Sequence, residues 1–206
     1  MHARFITLEG GEGVGKTTNL SFIETYLTGK GIDFIRTREP GGTPLGESVR
    51  TLLLQDGGME AETELLLVFA ARAQHVREVI APALAAGRWV VCDRFTDASF
   101  AYQGGGRNLD LSAIAWLEQW VQQGLTPDLT LLLDAPVATG LARASRRGPA
   151  DRIEAEDQAF FDRVRRAYLA RAEEAPQRIR RVDASQTLEQ VQAAIAVHLD
   201  ALISSV

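Results

Sequence analysis

The sequence predicts an α/β fold in three layers, with a five-stranded parallel sheet carrying helices on both faces. Three observations point there. Five short apolar runs read as strands: Phe5–Glu9, Phe34–Thr37, Trp89–Asp93, Leu129–Asp134 and Ile179–Asp183. Segments with helical periodicity separate them, and strand–helix alternation is the signature of a sheet buried on both sides. A glycine-rich turn joins the first strand to the first helix, as expected at the carboxyl edge of such a sheet.

The first strand ends at Glu9 and breaks into Gly10-Gly11-Glu12-Gly13-Val14-Gly15-Lys16-Thr17, a full match to G-x-x-x-x-G-K-[ST]. A loop whose backbone N–H groups all turn inward needs conformations that glycine takes without strain. Those donors, with the positive end of the helix that follows, suit nucleotide phosphates. Lys16 adds a mobile charge for the outer phosphates, and the Thr17 hydroxyl suits Mg²⁺. Residues Gly10 to Thr18 therefore predict a nucleoside triphosphate site. The first helix is expected from Lys16 to Thr28, stopped by Gly29-Lys30-Gly31.

The second strand leads into Thr37-Arg38-Glu39-Pro40-Gly41-Gly42-Thr43, with Arg50 beyond it. A long helical segment, Ala61 to about Ala85, carries Phe69-Ala70-Ala71-Arg72. The third strand ends in Asp93-Arg94-Phe95, followed by Ser99 and by Ala101-Tyr102-Gln103-Gly104-Gly105-Gly106-Arg107. An apolar run closed by an acid is the pattern that brings a second carboxylate near Mg²⁺. Asp93, with Arg94 beside it, is favoured for that role. Asp134, followed by Ala135-Pro136, reads as a turn or helix-start residue. In the Leu111–Gln123 helix, Trp116, Leu117 and Trp120 suit either an interface or the core. The last helix, Leu188 to about Ile203, repeats apolar residues at Leu188, Val191, Ile195, Leu199 and Leu202, a core-facing stripe.

Composition narrows the function classes. A chain of 206 residues fits one domain, taken here as 1–206. Its net charge of −5 argues against broad nucleic-acid binding. The single cysteine, Cys92, lies in an apolar run, so no disulfide framework is expected. The start runs straight into the first strand without room for a signal peptide, and no apolar stretch reaches membrane-spanning length. A cytoplasmic protein without membrane or nucleic-acid partners is the expectation. Of 22 basic residues only Lys16 and Lys30 are lysines, so the one at the phosphate-binding position stands out.

Taken singly, Arg50 and Arg72 read as solvated helix residues, Phe69 as core, and Gly104-Gly105-Gly106 as a flexible loop. Together with the phosphate loop they form a more specific pattern. EGGEGVGKTT, TREPGGT, FAAR, DRF and AYQGGGR resemble the bacterial thymidylate kinases, nearly end to end, through Asp151-Arg152-Ile153-Glu154 to the final helix. The resemblance implies a P-loop kinase fold with a short lid at about 141–154, ATP and Mg²⁺ as cofactors, and transfer of the γ-phosphoryl group of ATP to dTMP. It implies that Phe69 stacks on thymine, that Arg72 donates to the base O4, and that Ser99 and Gln103 complete the polar edge. Tyr102 closes on the sugar and crowds a 2′-hydroxyl, and Glu12 accepts from the 3′-hydroxyl. Arg38, Arg50 and Arg94 surround the monophosphate, where guanidinium forks suit phosphate oxygens. Asp93 sits by Mg²⁺. A homodimer packed through helices is the family's usual form.

Some members of that family carry an arginine inside the phosphate loop, whereas Gly11-Glu12-Gly13 holds no basic residue. The missing charge is expected from Leu141–Arg152, reading LARASRRGPADR. There Arg147 or Arg152 is assigned to the γ-phosphate and Arg143 to the adenine side. A GTPase switch is disfavoured because neither lysine follows an asparagine, as a guanine-reading motif requires. A partner-driven ATPase would have no use for a second arginine-lined pocket.

Overall fold

The computed structural model describes residues 3–55, 58–145 and 151–205. Five parallel strands, β1 (Phe5–Glu9), β2 (Phe34–Arg38), β3 (Trp89–Asp93), β4 (Leu129–Asp134) and β5 (Ile179–Asp183), form one sheet in the order β2-β3-β1-β4-β5. Every residue of β1 and β4 is buried, whereas the edge strands β2 and β5 are only partly covered. That is why the central runs are mostly apolar and the edges are not.

Side chains alternate across the sheet. Ile6, Leu8, Leu131 and Leu133 pack on one face against Leu20, Ile23 and Leu27 of α1 (Lys16–Gly29) and Val191, Ile195 and Leu199 of α9 (Leu188–Ser204). Leu188, expected in that stripe, stands exposed at the first turn of α9, whose cap is Thr187. On the other face, Phe5, Val90 and Cys92 meet Val76 and Ile80, while Leu132 meets Phe160, Phe161, Val164 and Tyr168 of α8 (Gln158–Glu174).

Further helices complete the layers. They are α2 (Pro44–Leu54), α3 (Ala61–His75), α4 (Ala81–Ala85), α5 (Thr96–Ser99), α6 (Leu111–Gln122) and α7 (Val137–Ala144). The expected helix over 61–85 is α3 and α4 joined by a π-helical stretch, Val76–Ile80. A second π-helical stretch, Phe100–Gly106, continues α5 and holds Tyr102 and Gln103 buried, so the triple glycine is packed structure and not a flexible loop. Within α6, Leu117 is core, while Trp116 and Trp120 are 61% and 64% exposed and stack at 5.4 Å.

Candidate active site

β1 and β3 are neighbours, with Leu8 opposite Asp93, so the phosphate loop after β1 and Asp93-Arg94 after β3 arrive side by side. The loop turns sharply at Gly13, with φ +68°, where a Cβ would lie 1.9 Å from the Gly140 carbonyl of α7. Only glycine lets α7 come that close. α1 starts from Gly15 without a side-chain cap, as do α3, α4, α5 and α7, but α1 alone follows a phosphate-loop glycine turn. Its first N–H groups at that turn suit an anionic ligand. Lys16 Nζ meanwhile donates to the Gly10 and Gly11 carbonyls, both at 3.0 Å. Burial, then the Arg94 charge, pull the Lys16 ammonium down to about 8.

Beside the loop lies a cavity of about 490 Å³, lined by residues 12–18, Glu39, Arg50, Glu64, Val68, Arg72, Asp93, Arg94, Phe95, Ser99, Tyr102, Gln103, Arg143 and Arg152 among others. That volume suits a mononucleotide next to the loop. A smaller hollow of about 30 Å³ behind the loop, bordered by Asp134 and Tyr168, is water-sized.

Among the described residues, six buried side-chain polar atoms have no hydrogen-bond partner, and four of them belong to residues lining this cavity: Arg72 Nη1, Asp93 Oδ1, Arg94 Nε and Ser99 Oγ. Buried polar atoms are ordinarily paired, so such clustering marks a place for a polar ligand. Arg72 is otherwise fixed. Its Nε donates to Glu39 at 2.7 Å, its Nη2 donates to the Phe95 carbonyl at 3.1 Å, and its guanidinium lies 4.6 Å from the Phe69 ring and 5.2 Å from the Phe95 ring.

Glu12, Arg94 and Tyr102 form a closed trio. Arg94 donates to Glu12 and to the Tyr102 hydroxyl, and that hydroxyl donates to Glu12 at 2.9 Å. Burial opposes the charge on Glu12, yet Arg94 and Lys16 hold its carboxyl well below the usual range. Arg50 has the opposite surroundings. Burial, then the neighbouring Arg38 and Arg94 guanidiniums, pull it down, the mark of a cationic corner short of an anion.

Most of the expected residues converge here, but three differ. Phe69 does not line the cavity. Its ring lies in the core with Leu65, Phe100, Ile114 and Leu117, beneath Arg72. Val68, four residues before Arg72 and on its helix face, lines the cavity instead. Counting back from Arg72 by one turn was the signal that could have found it. Arg38 turns outward from β2, half exposed, and pairs with Glu47 at 2.7 Å, because strand alternation buries Thr37 and exposes its neighbour. Arg152 donates to the Leu53 carbonyl at 2.8 Å and to Glu64 at 2.6 Å, which ties it to the base-side wall. Arg143 lines the cavity and donates to the Ala184 carbonyl at 3.0 Å. Arg147 lies outside the described residues, with Arg146, Gly148 and Pro149. Asp134 ends β4 and accepts from Arg165 at 2.7 Å and from Arg181. It caps no helix, the cap position of α7 being Pro136, so its role is an ion pair and not the expected turn or helix start.

Two carboxylates escaped the sequence reading. Glu39 lay inside a noted motif without a role, and it anchors Arg72. Glu64 is buried and gathers Gln103 at 2.8 Å, Arg107 and Arg152, an arrangement that spans 88 residues and leaves no local pattern.

An uncapped phosphate loop opening into a second cationic, base-sized pocket defines a P-loop nucleotide-binding protein of the phosphotransferase class. Comparison with known proteins narrows this. Residues 8–195 match the family model described as thymidylate kinase. The chain is 58% identical over 201 residues to a thymidylate kinase of Methylococcus capsulatus, covering 98% of this chain and 97% of the relative. It is 61% identical over 206 residues to one from Chromohalobacter salexigens, with the same two coverages. A crystal structure of thymidylate kinase from Ehrlichia chaffeensis superposes with a TM-score of 0.80 at 33% identity, covering 97% of this chain and 99% of that one. The chain belongs to the thymidylate kinase family.

Proposed function

We propose that this chain transfers the γ-phosphoryl group of ATP to dTMP, giving ADP and dTDP. The observation that carries the proposal is the set of orphaned donors and acceptors at Arg72, Ser99, Asp93 and Arg94 on one cavity beside an uncapped phosphate loop. The triphosphate lies along Gly10–Thr18, where the backbone N–H groups and Lys16 hold its phosphates. The pyrimidine lies against Val68 and Phe95. Arg72 Nη1 donates to O4, a position where cytosine would present a donor, and Ser99 and Gln103 complete the edge. The monophosphate enters the Arg50–Arg94 corner, with Arg38 contributing charge from outside it.

Thr17 and the free Asp93 Oδ1 fit Mg²⁺, which takes one or two protein oxygens together with phosphates. When bound, it would neutralise charge on the phosphates. An acceptor phosphate oxygen attacks Pγ in line, and the bond from Pγ to the ADP oxygen breaks. A phosphate monoester is already mostly dianionic above about pH 6, so no general base is assigned. Lys16, Arg94 and one lid arginine, Arg147, supply the charge stabilisation, with Arg143 on the adenine side, and closure of a lid at about 141–154 excludes water as a competing acceptor. A cytoplasmic homodimer is proposed, with the exposed Trp116–Trp120 pair on α6 in its interface.

The test is ADP release with Mg·ATP and a panel of dTMP, dUMP, UMP, dCMP and dGMP. Strong turnover with dTMP, weak with dUMP and none with UMP is expected. Preference for dCMP or dGMP overturns the base pocket, and release indifferent to every monophosphate overturns the kinase reading.

A further inference from the structure

We infer that His75 is a positioning residue for base recognition: through Glu39 it sets the plane of the Arg72 guanidinium, and hence the direction of the donor left for the pyrimidine. The inference rests on the cavity being the dTMP site.

His75 is the last residue of α3, fully buried, and lines no part of the cavity. It sits three residues after Arg72, on the same helix face, so both side chains reach Glu39 across the gap to β2. Glu39 Oε2 accepts from Arg72 Nε at 2.7 Å, and Oε1 is 2.9 Å from His75 Nδ1. A carboxylate paired with a guanidinium only accepts, which assigns the ring hydrogen to Nδ1. On the other side of the ring, Nε2 lies within hydrogen-bond distance of the Thr37 hydroxyl, 2.6 Å away and itself buried on β2. The chain of contacts runs Thr37, His75, Glu39, Arg72, and each link is directional.

The last torsion of a glutamate is broad and nearly two-fold, so one contact does not fix its carboxylate plane. Two contacts, one to each oxygen, do. Arg72 inherits that plane through Nε, and its Nη2 contact to the Phe95 carbonyl closes the frame, leaving Nη1 free. The ring of His75 is held in turn by the turn at Gly42, where φ is +77° and a Cβ would lie 2.5 Å from Nε2. Nothing in this chain of contacts touches the phosphate loop, so loss of His75 is expected to weaken the monophosphate and spare ATP.

The test compares His75→Leu, His75→Asn and Thr37→Val in steady-state kinetics on the full chain, with thermal unfolding to measure the folded fraction. His75→Leu is expected to raise KM for dTMP about tenfold while KM for ATP stays within about twofold. Discrimination against dCMP should relax with it. His75→Asn, whose amide N–H can take the place of Nδ1–H, should recover dTMP KM to within about threefold of the parent. Thr37→Val should raise it about threefold. An unchanged dTMP KM in His75→Leu, with Vmax falling only as the folded fraction does, overturns the inference. So does an Asn variant as impaired as the Leu variant. Should His75→Leu not fold, Thr37→Val decides, and an unchanged dTMP KM there is the overturning result. If the parent enzyme prefers another monophosphate, the dTMP reading fails on its own, and the same KM split is read with that monophosphate.

Discussion

On the donor side of the cavity, the backbone groups proposed for the triphosphate come from one stretch, Gly10 to Thr18, and Lys16 donates back to the carbonyls of Gly10 and Gly11. On the acceptor side, Glu39, Arg50, Glu64, Val68, Arg72, Phe95, Ser99 and Gln103 come from four helical elements and the loops after β2 and β3, and are held by side-chain contacts reaching 88 residues along the chain. Backbone donors and a helix terminus need little support to stay in place. A guanidinium that must present one N–H in one direction needs a carboxylate, a carbonyl and two rings around it. The two halves should therefore fail differently when a residue is removed, the first in rate and the second in recognition.

The sharpest version of that contrast is Lys16→Ala. It removes a charge from the transferring phosphates and touches no group of the base pocket. The expected loss is about a thousandfold in kcat, ~4 kcal/mol of transition-state stabilisation, with dTMP affinity nearly unchanged. Calorimetric titration of the variant with dTMP checks it, and a matching loss of dTMP affinity would break the comparison. Arg72→Lys is the mirror experiment. Lysine keeps the charge but not the planar fork. About a hundredfold is expected from kcat/KM for dTMP, roughly 2.7 kcal/mol, while KM for ATP stays put. Equal damage to both substrates would mean that the halves are not separable.

That difference in construction also explains what could be read in advance. The phosphate loop is contiguous, so its residue types at fixed spacing announce the chemistry. Asp93 and Arg94 stand out because they close an apolar run, and Tyr102 and Gln103 enter through the family resemblance of AYQGGGR; all four line the cavity. The dispersed wall was harder. Phe69 reads as core on its own and as a base platform only through the family resemblance; it packs in the core, and Val68 takes the cavity position. Arg38 sits in a specific motif, but strand alternation sends it outward to Glu47. The roles of Glu39, Glu64 and His75 depend on partners 33 or more residues away, and no window of sequence contains both ends of those contacts.

Between the halves, under the loop, lies Glu9. It is fully buried, accepting from the Phe95 N–H at 2.7 Å and the Tyr168 hydroxyl at 2.8 Å. Burial, then the Asp97 charge, push its carboxyl up to about 8. Between its ordinary value of 4.5 and about 8, the folded protein holds a proton that the unfolded chain has released. Stability from this group is complete below the lower value and is lost as pH rises through that window. Glu9→Gln keeps an acceptor for Phe95 and turns an amide donor towards Tyr168, so it should flatten the dependence. At pH 8 the variant is expected to be more stable than the parent by about 1–2 kcal/mol. Urea unfolding at pH 6, 7 and 8 measures this, and parallel slopes for the two proteins would count against a neutral Glu9.

The smallest expected effect falls where the halves touch. The Tyr102 hydroxyl is held by Arg94 at 2.8 Å and donates to Glu12 of the phosphate loop at 2.9 Å, while the ring lines the acceptor cavity. Tyr102→Phe deletes that joint and little else, since the ring keeps its edge contacts with Phe160 and Tyr168. Glu12 retains Arg94, so the loop is not left with an unpaired buried charge. About 1 kcal/mol is expected, a factor of roughly five in kcat/KM for dTMP, the usual cost of one hydroxyl whose partners stay paired. Loss of the hydroxyl also frees Arg94 to move between Glu12 and the monophosphate corner. The effect should then appear in both substrates at once, unlike Lys16→Ala or Arg72→Lys. A double-mutant cycle of Tyr102→Phe with Glu12→Gln measures the joint directly: a coupling near zero would place Tyr102 on the acceptor side alone, and a coupling of about 1 kcal/mol would show the two halves sharing one hydrogen bond.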